Sequence, residues 1–117
     1  MIGIELGMSV ASAVLRGEAT GSAEGFIADV ASVSKKDLKP GDVLDGEGGY
    51  TVFGRLVTAE ESLTNKYLPM GLSRGGRTIK PVPKDSFVTY HDVEMDEKTL
   101  AFRVRKTLEE SSRKLTP

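Results

Sequence analysis

The chain has no cysteine and no tryptophan, one histidine, and aromatic residues at only 6% of its 117 positions. Without cysteine there are no disulfides, no zinc–thiolate sites and no thiol nucleophile. This fits a cytoplasmic protein, the localisation expected here. With no Trp, the core has to be built from Val, Leu, Ile and Ala, with Phe26, Phe53, Phe87 and Phe102 as its bulk. No charge dominates either: 16 basic and 17 acidic residues leave a formal net charge of −1. That balance gives no general attraction to nucleic acid or to an anionic membrane, and neither is expected as a partner. Long apolar runs are missing as well. The opening MIGIELGMSVASAVL is interrupted by Glu5 and Gly7 and is too short to span a bilayer. It contains Ala11-Ser12-Ala13, a signal-peptidase-like triplet, but no Lys or Arg precedes the apolar residues, so a secretory signal is not expected.

What the chain does have is glycine and turn chemistry. In residues 4–15, Ile4, Met8, Ala11 and Leu15 recur at helical spacing, and Arg16-Gly17 supplies a cation and a terminator. The opposite face is small: Gly3, Gly7, Ser9, Ser12 and Ala13. Glycine in a helix interior costs about 1 kcal/mol relative to alanine. Its retention suggests that something packs closely on the backbone. Residues 17–25, GEATGSAEG, read as a linker. A period of two then predicts a strand over 26–34, with Ala28, Val30 and Ser32 facing one way. Further short strands are expected near 43–44, 50–57, 77–80 and 88–89. Thr58-Ala-Glu-Glu predicts a capped helical turn over 58–66. The last element is an amphipathic helix with Asp96 as N-cap and Met95 and Leu100 as a hydrophobic staple. Leu100, Val104, Leu108 and Leu115 form its expected buried stripe, with Phe102 off that stripe and a solvated charged face around it.

Two stretches echo each other. KDLKPGDVL at 36–44 has a weaker copy in KPVPKDSFV at 80–88. Leu38 matches Val82, Gly41 matches Asp85, Val43 matches Phe87 and Leu44 matches Val88. Aspartate is among the few residues that tolerate the left-handed conformation glycine allows. The pair predicts a β-structure with internal pseudo-symmetry. The fold class expected is therefore mainly β with flanking helices, in three parts: an N-terminal helix and linker (1–25), a β-domain (26–95) and a C-terminal amphipathic helix (96–117).

The paired turns at Lys36–Leu44 and Lys80–Val88 resemble those of the SAF domain, a small β-clip fold. A wider likeness runs through Gly3–Ser12, Arg16–Gly21, Asp37–Leu44, Asp45–Val52 and Leu68–Leu72 in order. Over nearly the whole chain it is similar to the C-terminal part of homoserine-dehydrogenase-like NAD(P)-dependent oxidoreductases that carry a SAF domain, the 1-deoxy-D-xylulose 5-phosphate reductoisomerase-like group among them. The resemblance implies a β-clip of short strands and a parent enzyme using NADP or NAD. It also implies a partner: a Rossmann and catalytic unit that this chain lacks, held in another domain or a separately encoded subunit. No segment here supplies the strand, Gly-x-Gly-x-x-Gly turn, helix and later acid that dinucleotide binding needs. The chain is thus expected to hold no cofactor and to carry no catalytic residue or metal site. The expected role is domain packing or subunit contact, with self-association as one form of it. The alternative is a free-standing SAF-type module for a small anion or sugar acid, and a flagellar-assembly chaperone is a weaker third.

Site candidates follow from the residues. Gly46-Glu47-Gly48-Gly49 has the glycine content of a phosphate loop, but the strongly β-forming residues after it and Glu47 within it favour a turn. Arg74 and Arg77 flank Gly75-Gly76 and are candidates for gripping a carboxylate or phosphate. Glu5 and Ser9, four apart on one helix face, are candidates for lining the active site of a full-length parent. His91 next to Asp92 is a formal acid–base pair with no recognisable nucleophile, read as a surface turn. Glu60-Glu61 and Glu109-Glu110 read as solvated helical surface.

Overall fold

In a computed structural model, the two echoing turns lie back to back. The structure describes residues 2–23 and 25–115. At the centre Leu38 and Val82 form an isolated antiparallel bridge and exchange both backbone hydrogen bonds, 2.8 and 3.0 Å. Around this point the contacts come in equivalent pairs at the same sequence offset. The Gly41 amide donates to Thr78 O (2.7 Å) as the Asp85 amide donates to Ser34 O (2.9 Å). The Thr78 amide donates to Asp42 O as the Ser34 amide donates to Ser86 O, both at 2.9 Å. The hydroxyls repeat the relation: Thr78 Oγ1 donates to Lys39 O (2.6 Å) and Ser34 Oγ to Pro83 O (2.5 Å). Both turn residues are left-handed, with φ 95° at Gly41 and 63° at Asp85. The internal pseudo-symmetry read from the sequence is a pseudo-twofold in space.

Its core is Leu38, Leu44, Val82 and Val88 with Val52, Leu68, Met70 and Val93. The apolar pair at the end of each copy supplies one of these residues, Leu44 or Val88. The preceding residues, Val43 and Phe87, bridge to Arg77 and Val33.

The long hairpin-like pair is β1 (Ala28–Ser34) with β2 (Val52–Thr58), antiparallel, with Ala31 opposite Arg55. The expected alternation holds only at the start of β1: Val30 is exposed, but Ala31, Ser32, Val33 and Ser34 are all buried. The reason is that β1 enters the interior, with Ala31 bridged to Pro69, Val33 to Phe87 and the Ser32 amide bonded to Leu68 O. A buried strand needs no polar face. Phe26 falls outside β1 and lies against the Arg105 guanidinium, 4.8 Å from the ring centre. The second sheet is minimal, β3 (Arg77–Thr78) with β4 (Val93–Glu94). The expected strands near 43–44 and 88–89 are single bridges instead, at Val43, Phe87 and Thr89.

Helix α1 (Ile2–Ala11) continues as a π-helical turn, Ser12–Arg16, and stops at left-handed Gly17 (φ 66°), as the Arg16-Gly17 signal predicts. Helix α2 (Ala59–Asn65) is capped as expected, the Glu61 amide donating to Thr58 Oγ1 at 3.1 Å. A short 3₁₀ turn, Met70–Leu72, follows.

Helix α3 (Leu100–Leu115) departs from expectation in two ways. It starts later, because Thr99 Oγ1 accepts the Phe102 amide at 3.3 Å, while Asp96 caps only the preceding turn through the Lys98 amide. It also docks by the other face. Leu100, Val104 and Leu108 are 69%, 59% and 41% exposed, whereas Phe102 is buried. The Met95–Leu100 staple is therefore absent, and Met95 packs on the main core instead.

The described residues form three α-helices and two small antiparallel sheets, a small mixed helix-and-strand fold in which short strands and flanking helices are both present. No helix among the described residues is long and apolar enough to cross a membrane.

Candidate functional site

The glycine-rich segment before β2 is organised by a carboxylate. Asp45 accepts from the amides of Tyr50 (2.5 Å) and Thr51 (3.0 Å) and from the Thr51 hydroxyl. The Thr51 hydroxyl and these amides hold the Asp45 carboxyl down to about 2 from its ordinary 3.8. A phosphate cradle needs free consecutive amides. Here Asp45 has taken the consecutive amides of Tyr50 and Thr51, and the Gly49 amide turns back to Gly46 O at 3.2 Å, so the segment is a turn, as its β-forming neighbours suggest. Gly49 is required because a Cβ there would collide with the Asp45 carboxylate, and Gly46 because its φ is 80° and a Cβ would meet Arg74 Cβ at 2.9 Å. Lys35 Nζ closes the turn on Gly49 O at 2.6 Å.

The two arginine candidates are exposed and engaged in different places. Arg77 reaches across the pseudo-symmetric body to Gly41 O (3.3 Å). Arg74 lines a cavity with Leu72, Met95 and Phe102 that does not include Arg77. Glu5 is exposed on α1. Ser9 Oγ accepts from Thr20 Oγ1 at 3.0 Å, which folds the start of the linker back onto the helix. His91 and Asp92 do not form a dyad: the Asp92 carboxylate accepts from the Thr89 amide and hydroxyl at 2.9 and 2.7 Å, closing a turn.

The principal polar cluster is one the sequence reading missed. Arg105 on α3 clamps Asp29 of β1 with both terminal nitrogens, 3.2 and 2.5 Å, and donates through Nε to Glu109 at 2.8 Å. Ser62 of α2 donates to Asp29 at 2.5 Å, and Lys106 and the Tyr90 hydroxyl donate to Glu109 at 3.0 and 2.9 Å. Asp29 and Glu109 are buried, which corrects the expectation that Glu109 is solvated surface. Burial works to raise both carboxyls, but the Arg105 hydrogen bonds, with Ser62 at Asp29 and with Lys106 and Tyr90 at Glu109, outweigh it, and both are held below their ordinary values. Burial and the neighbouring Glu109 charge push the Tyr90 hydroxyl well up. Two acids and two bases balance, and the carboxylates are saturated with donors. Such a set holds α3 against β1 and α2; it has no unsatisfied base for chemistry. The one sequence signal was Arg105 and Glu109 at i, i+4, on the same helix face as Phe102.

No group of three or more His, Asp or Glu suited to a metal ion occurs among the described residues. No family model matches the chain, and no curated protein matches it.

Proposed function

We propose that the chain is a non-catalytic packing module, a SAF-like β-clip serving an NAD(P)-dependent oxidoreductase of the homoserine-dehydrogenase-like kind. The catalytic and dinucleotide-binding parts are held by another domain or subunit, in the cytoplasm. The observation that carries this reading is the state of α1 and its π turn. Leu6, Met8, Val10, Val14 and Leu15 are 56–82% exposed there, and a Cβ at Gly3 or Gly7 would meet nothing within 4 Å. A helix with apolar residues on most sides is a buried element of a larger assembly. The resemblance carried by Gly3–Ser12 and Asp45–Val52 supports the family, and the pseudo-twofold turn pair supports the β-clip.

The reading is tested by searching the neighbouring reading frames for a segment encoding strand, Gly-x-Gly-x-x-Gly and helix, then mixing its product with this chain. A complex on size exclusion that is lost in Leu6→Lys/Val10→Lys is the expected outcome. Titration of the isolated chain with NADPH should show no binding. Saturable NADPH binding, or no complex with such a product, overturns the proposal.

A further inference from the structure

Between the end of α2, the Thr89–Asp92 turn and α3 lies a cavity of about 290 Å³, lined by Ser62, Lys66, Tyr90, His91, Lys106 and Glu109 among others. Its charges do not cancel. Glu109 is the only acid on the wall, and its oxygens already accept from Tyr90, Arg105 and Lys106. Ser62 is turned to Asp29. Among the described residues, the Lys66 ammonium and the His91 ring have no hydrogen-bond or ionic partner. Lys66 is left-handed (φ 54°) at the helix C-cap, a place where glycine is the easy choice. Its carbonyl accepts the Tyr90 amide at 3.0 Å, so Lys66 and the Tyr90–His91 backbone are fixed side by side. Lys106 stands on the third wall, its ammonium 3.5 Å from the Tyr90 ring centre and its side chain 37% exposed.

We propose that this cavity is a binding site for a compact oxyanion, a phosphate group or a small carboxylate. Lys66 and His91 are its direct donors, and Lys106 supplies the neighbouring positive charge. The volume sits at the small end for ligand pockets, which suits one anionic group and excludes a dinucleotide. Lysine binds such a group as a point charge and needs no fork geometry. The site lies apart from Arg74 and Arg77, and its occupant would touch α2, α3 and the turn together.

The test is calorimetric titration of the full chain with inorganic phosphate and, separately, with acetate, at low ionic strength against a chloride control. Saturable binding of at least one anion is expected, weakened about fivefold or more in Lys66→Gln and in His91→Gln and unchanged in Lys80→Gln. Tighter phosphate binding assigns a phosphate ester as the natural ligand class, and tighter acetate binding assigns a carboxylate. His91 is exposed and its ring makes no hydrogen bond or ion pair with a described residue, so His91→Gln tests the site even if Lys66→Gln is unstable. Binding no stronger than chloride, or equal binding by both variants and the wild type, overturns the proposal.

Discussion

At the scale of single residues, the positions that matter most are the ones forced by a neighbour. Gly49 is fixed by the Asp45 carboxylate, so Gly49→Ala should displace that carboxylate and cost about 1–3 kcal/mol in urea denaturation. Asp45 itself should show in the acid limb. Its folded value of about 2 lies below the ordinary 3.8, so its contribution is fully present above about pH 4 and is lost as pH falls through 2. In Asp45→Asn, the stability difference from wild type should shrink over that window, and a pH-independent difference would contradict the assignment. Leu38, at the pseudo-twofold centre and 1% exposed, should cost about 2–5 kcal/mol as Leu38→Ala. The left-handed turn residue at Asp85 was legible from its match to Gly41. The role of Asp45 was not, because its partners, Tyr50 and Thr51, are ordinary strand residues whose amides carry no sequence label.

At the scale of elements, α3 shows how a helix can be recognised from sequence while its docking face is misread. The apolar stripe of Leu100, Val104 and Leu108 identifies a helix correctly. Periodicity assumes that the apolar face is the docked one. Here the docked face carries Phe102, Arg105, Lys106 and Glu109, because an acid buried in β1, Asp29, needs a cation there. Arg105→Met should leave Asp29 without its charge partner and destabilise by about 3–5 kcal/mol. Val104→Ser on the outer stripe should stay within about 0.5 kcal/mol in the isolated chain. Thermal melts of the two variants compare these directly, and equal losses would mean that α3 packs by its apolar stripe. The strands were legible where the period of two ran long, at β1 and β2. β3 falls within the strand expected near 77–80, but its partner β4, Val93–Glu94, was not expected, because two residues are too few for a period to be read.

At the scale of the whole molecule, a pseudo-symmetric body with its own core carries a helix whose apolar surface is uncovered. The repeat was visible in sequence because the left-handed turn and the apolar pair recur at one spacing. The Ser34 and Thr78 hydroxyls that complete each half were not, since they lie two residues before each matched stretch and are different residue types. The central claim is that α1 is covered by an oxidoreductase domain or subunit. Hydrogen–deuterium exchange over residues 2–16 tests it most directly, measured in the isolated chain and in the assembly purified with it. The account predicts fast exchange in the isolated chain, with β1 and β2 protected, and slowed exchange over 2–16 in the assembly. Exchange over 2–16 that is equally fast in both, or already slow in a dilute monomer, would contradict it.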